Sequence, residues 1–174
     1  MGEKNILVSR AIGRAETGLY FLRECLTKIH RGGTDAAFSR SIYILLSFNF
    51  ELILKSRVIL NRNITSRKDL LKGIKHHNLE KLSKELSSSL LKDINIKDIQ
   101  TKKDAGFVEY KIKIVEGEEI IIQDLVDVRY DFIKDNLRNI DVDESTRINN
   151  EIDIFLKMVE KIRILNDKID NKIN

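Results

Sequence analysis

The chain has no proline and no tryptophan, and its 174 residues include only 8 glycines and one cysteine. Each shortage excludes something. With so few breakers, long helices are favoured and a turn-rich sandwich or barrel is not. The single cysteine, Cys25, rules out an intrachain disulfide and a cysteine-based zinc site. It sits among apolar residues of a helical pattern and reads as a packing thiol. The longest apolar run, residues 42–54, is broken by Ser47, Asn49 and Glu51. It falls short of the roughly 20 residues that cross a bilayer, so no membrane contact is expected. The first 20 residues hold no signal-like apolar stretch, and the expected location is a reducing cytoplasm. Glycine-rich phosphate loops, nucleophile elbows and zinc-protease motifs are all missing. The three histidines are His30, His76 and His77. Adjacent residues on a helix point about 100° apart, so the His76–His77 pair cannot chelate as an i, i+4 pair does. No metal and no cofactor is expected.

What the chain does have is a 42% apolar and 33% charged composition, that of a single globular domain over residues 1–174. The charge is divided. Residues 1–78 carry a net +8 and residues 79–174 a net −4. The basic excess is densest at Lys55, Arg57, Arg62, Arg67, Lys68, Lys72 and Lys75. Such a cluster is a candidate nucleic-acid surface, since lysine and arginine displace counterions from a phosphate backbone. The competing reading is a solvated face neutralised by the acidic half. No aromatic residues are interleaved with the cluster, so base stacking there is not indicated.

Periodicity gives the organisation. Ile12, Ala15, Leu19, Leu22, Leu26 and Ile29 predict a first helix over about 9–29. Gly32 and Gly33 stop it, and Thr34 or Asp35 caps a second helix over about 36–61, apolar nearly all round and therefore central. Ser66 and Asp69 suggest a capping box for a short helix ending near Gly73. Asn78 can cap a helix through Leu79, Leu82, Leu86 and Leu90. Residues 92–105 read as irregular. Val108, Tyr110, Ile112 and Ile114 then alternate with charged residues, Glu116-Gly117 supplies a turn, and Ile120 to Ile122 returns, a β-hairpin near 107–123. Another helix is expected over about 124–138.

A long last helix, about 146–171, carries a heptad. Ile152, Val159, Asn166 and Ile173 stand at a, and Ile148, Phe155, Ile162 and Ile169 at d. The pattern predicts a homodimer in which this helix takes part. The alternative is packing within its own bundle.

Three segments in order resemble a HEPN domain (higher eukaryotes and prokaryotes nucleotide-binding), in particular bacterial stand-alone members. Phe50-Glu51-Leu52-Ile53-Leu54-Lys55-Ser56 is similar to the family's ELxLKA segment. His77-Asn78-Leu79-Glu80-Lys81-Leu82 is similar to HDLxKL, with Asn78 in place of the usual aspartate. Val126-Asp127-Val128-Arg129-Tyr130 is similar to the RY segment. The resemblance implies an all-α, up-and-down helical bundle, here with one inserted β-hairpin, that is often a dimer. It also implies a bacterial defence or toxin–antitoxin setting. Many members are metal-independent ribonucleases with an R-x(4–6)-H motif, in which imidazole moves the proton and guanidinium faces the phosphate.

The present segment departs from that motif, because no histidine follows Arg129 within reach. The expectation is therefore an RNA- or nucleotide-binding protein without the usual ribonuclease motif. The alternative is a dimeric helical scaffold that engages a protein partner. A weaker one is an endoribonuclease using Arg129, Tyr130 and His77. One Arg-x(6)-His pair, Arg23 and His30, occurs on the first helix, outside the expected segment. Glu51 and Lys55, an i, i+4 pair on the central helix, suggest a polar network inside the bundle.

Overall fold

The computed structural model describes residues 3–29, 36–62, 74, 77–104, 107–124 and 140–170. The chain is mostly helical with a small three-stranded antiparallel sheet.

Helix α1 spans Glu3–Leu26 and α2 spans Ala36–Asn61. They pack antiparallel: Lys4 Nζ near the start of α1 donates to the Arg62 carbonyl just past the end of α2, at 2.8 Å, and Gly18 lies against Asn49 at mid-length. The buried stripe of α1 is Val8, Ile12, Ala15, Leu19, Leu22 and Leu26, the three- and four-residue steps of one helix face. Helix α1 begins six residues earlier than its apolar pattern indicates, because Asn5 and Val8 continue the buried face.

The segment after Asn78 forms two short helices. Asn78 Oδ1 accepts from Lys81 N at 2.8 Å and caps α3, Leu79–Lys84. Ser87 then caps α4, Ser88–Lys92. The leucine spacing is continuous across this break, but the Ser87 hydroxyl competes for the backbone and starts a new helix.

Strand β1 spans Ile96–Asp104, where the sequence reads as irregular. A bulge between Ile96 and Asp98 interrupts its register, so its buried residues fall at Ile96 and Ile99 and conceal the two-residue period. Asn95 enters the strand at φ 71°, a left-handed conformation that asparagine tolerates. Strands β2, Phe107–Ile114, and β3, Glu119–Gln123, form the expected hairpin, turned at Gly117 with φ +100°. Strand β2 is central, and β1 and β3 are its antiparallel neighbours. Tyr110, Ile112, Ile114, Ile120 and Ile122 point into the core.

Helix α5 spans Val142–Asp170, and Asp141 Oδ1 accepts from Glu144 N at its start. It runs antiparallel to α1: Asp153 pairs with Arg23, and Asn166 reaches Asn5 and Ser9. Its rings and branched chains close the core, with Phe155 at 5.0 Å from Phe50 of α2.

This placement corrects the heptad reading. Ile148, Ile152, Phe155, Val159, Ile162 and Asn166 are all buried within their own chain, so that stripe is not free to pair with a second copy. Ile173 lies outside the described residues, as do the expected helices near 66–73 and 124–138. Among the described residues, no helix is long and apolar enough to cross a membrane.

Candidate functional site

Three of the residues singled out in the sequence meet at α2, and a fourth lies farther along it. Glu51 is 2% exposed, and its carboxylate accepts from Lys55 Nζ at 2.6 Å, one helical turn on. His77, just before α3, brings Nδ1 to 3.0 and 2.9 Å from the two Glu51 oxygens. A carboxylate only accepts, so Nδ1 is the protonated ring nitrogen. Glu51, Lys55 and His77 therefore form one polar centre that ties the approach to α3 to the middle of α2. Its chemistry is that of a paired buried carboxylate, which avoids the cost of an isolated charge.

The fourth residue, Arg57, is buried six residues beyond Glu51, on another face of α2, and meets the α4–β1 junction. Its Nε donates to the Leu90 carbonyl at 3.1 Å, and Nη2 meets Asp93 at 2.8 Å. Arg62 pairs with Glu85. Lys4 stands nearby, and burial together with the Arg57 cation holds its amine below the usual lysine range. Lys55, Arg57 and Arg62, three of the seven basic residues singled out as a nucleic-acid surface, are thus held in ion pairs. Each faces an acid of its own chain, and two of those acids, Glu85 and Asp93, belong to the acidic half. Arg67, Lys68, Lys72 and Lys75 lie outside the described residues. So do Arg129, Tyr130 and His30. Arg23, the other member of the Arg-x(6)-His pair, is turned to Asp153 of α5, with its guanidinium 6.0 Å from the Tyr20 ring.

A second polar centre has no counterpart in the sequence reading. Tyr43 of α2 donates to Glu144 Oε1 at 2.6 Å. Arg147 Nε donates to Glu144 Oε2 at 2.8 Å, and Nη1 pairs with Glu151. Glu144, Arg147 and Glu151 share one face of α5 through their three- and four-residue spacing, the only sequence signal that could have disclosed them. Burial pushes the Glu151 carboxyl up to about 7; Arg147 opposes the rise and Glu144 adds to it. The Arg147 guanidinium is held above its usual value, chiefly by its hydrogen bond to Glu144. Glu151 Oε2 is buried without a hydrogen-bond partner. Arg147 and Glu151 line one wall of a cleft of about 580 Å³ between β3 and α5, with Glu118 and Glu119 opposite. A carboxyl that titrates near neutrality beside a guanidinium can hold or release a proton there.

The third feature is apolar. Tyr20 and Phe21 of α1 are 51% and 58% exposed, and Phe48 of α2 is exposed as well. Phe21 and Phe48 border a shallow groove of about 740 Å³, rimmed by Arg10 and Arg14. Asn49 lies at its floor, and Asn49 Nδ2 is buried without a hydrogen-bond partner.

Among the described residues, no three His, Cys, Asp or Glu side chains stand close enough to share a metal ion. Cys25 is half-buried and packs against the core. No family model matches the chain, and neither the curated proteins nor the solved structures offer a match.

Proposed function

We propose that the chain is a HEPN-like helical protein that works as a dimeric interaction scaffold. The observation that carries this reading is the state of the basic stretch. Lys55, Arg57 and Arg62 are closed in ion pairs with Glu51, Asp93 and Glu85. A cation committed to a carboxylate of its own chain has no counterion to exchange for phosphate, so these three add little to RNA affinity. The exposed aromatic residues of α1 and α2 offer instead the kind of apolar patch that marks a protein contact. In a bacterial defence or toxin–antitoxin setting, such a scaffold would act by holding a partner.

Nucleic-acid binding is the second reading, and one arrangement favours it. Arg10 and Arg14 stand with Phe21 and Phe48 around one groove, cations beside rings on which bases could stack.

Sedimentation equilibrium on the full chain, with fluorescence anisotropy of a labelled 20-nucleotide single-stranded RNA at 50 and 200 mM salt, separates the two. The scaffold reading expects a dimer at tens of micromolar protein and RNA binding that is weak at both salts. A monomer at that concentration overturns it. So does tight RNA binding that falls steeply with salt and is lost when Arg67, Lys68 and Lys72 are changed to Glu.

A further inference from the structure

We infer that the exposed face of α1 is a two-fold interface on which a second copy of this chain docks antiparallel, with Thr17 at the axis. The inference rests on the dimeric reading above and adds the surface and its register.

Arg10, Gly13, Arg14, Thr17, Tyr20, Phe21 and Glu24 recur at three- and four-residue steps and so share one face of α1. Six of these residues are exposed: Arg10, Arg14, Thr17, Tyr20, Phe21 and Glu24. Among the described residues, Arg10, Arg14 and Glu24 take part in no ion pair. This sets them apart from Glu16 and Arg23 on the flank of the same helix, which pair with Arg163 and Asp153 of α5. Gly13 is an open notch, since a Cβ built there meets nothing within 4 Å.

A two-fold axis through Thr17 places each residue opposite the one equally far on the other side. Gly13 and Phe21 are each four residues from Thr17, about 6 Å along the helix. The ring of Phe21 then fills the Gly13 notch of the second copy, and the reverse contact follows by symmetry. Arg10 and Glu24, each seven residues away, meet as opposite charges. Arg14 and Tyr20, each three away, meet as cation and ring. Large meets small, plus meets minus, and cation meets ring in the same register.

Neighbouring registers lose this match. An axis at Arg14 sets the two Arg14 guanidinium groups against each other. An axis at Phe21 sets Arg14 against Lys28. The groove beside α1 adds Phe48, which is exposed and which a docked copy would cover.

The test is a charge swap read by sedimentation equilibrium on the full chain. Arg10→Glu and Glu24→Arg should each raise the dimer dissociation constant at least tenfold, because each change sets like charges together at two symmetric places. The double variant should return to within about threefold of the original. Both residues are exposed, and circular dichroism checks that each variant folds. A second measurement uses Thr17→Cys in a Cys25→Ser background. Helices packed 8–10 Å apart bring facing Cα atoms within disulfide range, so mild oxidation should cross-link this variant into dimers. Thr146→Cys, exposed on α5, should stay monomeric on a denaturing gel. A dimer indifferent to all these changes overturns the interface and leaves the scaffold reading standing. A monomeric wild type overturns both. Loss of RNA binding in the Arg10→Glu variant of a monomeric protein gives this face to nucleic acid and ends the inference.

Discussion

Replacing Glu151 with glutamine should change how stability depends on pH. In the folded chain the Glu151 carboxyl is pushed up to about 7 from a starting value of 4.5. Below about pH 4.5 the group is neutral in both the folded and the unfolded chain. Between about 4.5 and 7 the unfolded chain releases the proton and the folded chain keeps it. Folding therefore loses stability as pH rises through this window, and above about 7 the loss is complete. Each pKa unit corresponds to about 1.4 kcal/mol, so the swing is about 3 kcal/mol. Glutamine cannot titrate. It keeps an oxygen for Arg147 and adds an amide where Oε2 now lacks a partner, a cost that does not vary with pH. Other carboxylates move the other way: hydrogen bonds from Lys84 and Thr101 hold Glu80 below its usual range, and one from Asn95 does the same for Glu116. They are common to both proteins and cancel in the difference. Urea titrations followed at 222 nm for wild type and Glu151→Gln at pH 5, 6, 7 and 8 give that difference. Across this series, which starts just above the unfolded value, it should shift toward the variant by about 2.5 kcal/mol. A difference constant to within about 0.5 kcal/mol would refute the reasoning, because it would mean that Glu151 ionises alike in both states.

Two further outcomes follow from the core. Asn166 is buried, and its Nδ2 donates to the Asn5 carbonyl at 3.3 Å and to Ser9 Oγ at 3.0 Å; Asn166→Ala should lower the urea-unfolding free energy by about 1–3 kcal/mol while sedimentation equilibrium finds the oligomeric state unchanged. Phe155→Ala removes a fully buried ring beside Phe50 and should cost about 3–5 kcal/mol in the same assay, enough to approach the stability of a marginal domain.

The sequence disclosed most where one local rule acted alone. The start of α2 follows from the glycines before it and its body from a segment apolar nearly all round, and the β2–β3 hairpin from the alternation of β2 and the turn at Gly117. It disclosed least where two rules overlapped. The buried isoleucines of β1 fall three residues apart across a bulge, a spacing that mimics a helix turn. The leucines of α3 and α4 keep a helical step through a break that Ser87 introduces. The stripe of α5 satisfies a heptad, yet a three- and four-residue step equally describes a helix buried in its own core, and only the burial of Ile148 through Asn166 decides between them. At the site, Glu51 and Lys55 are recognisable as a turn-spaced pair, and His77 joins them through a contact spanning 26 residues. Nothing in the sequence tells that Arg57 and Arg62 face Asp93 and Glu85, because those contacts depend on how the segment after Asn78 folds back. The Tyr43–Glu144 bond crosses 101 residues and is equally hidden.

The position of α5 also governs the order in which the molecule can form. Asn166 meets Asn5 across 161 residues of chain. At a synthesis rate of about 5–20 residues per second, roughly 8 to 32 s pass between making one partner and making the other. In the later part of that interval, once Asn61 has been made, α1 and α2 are available, but the face they turn to Phe155, Val159 and Ile162 has no cover. Productive folding is therefore a late event that waits for α5, and until then the half-made chain carries uncovered apolar helix surface.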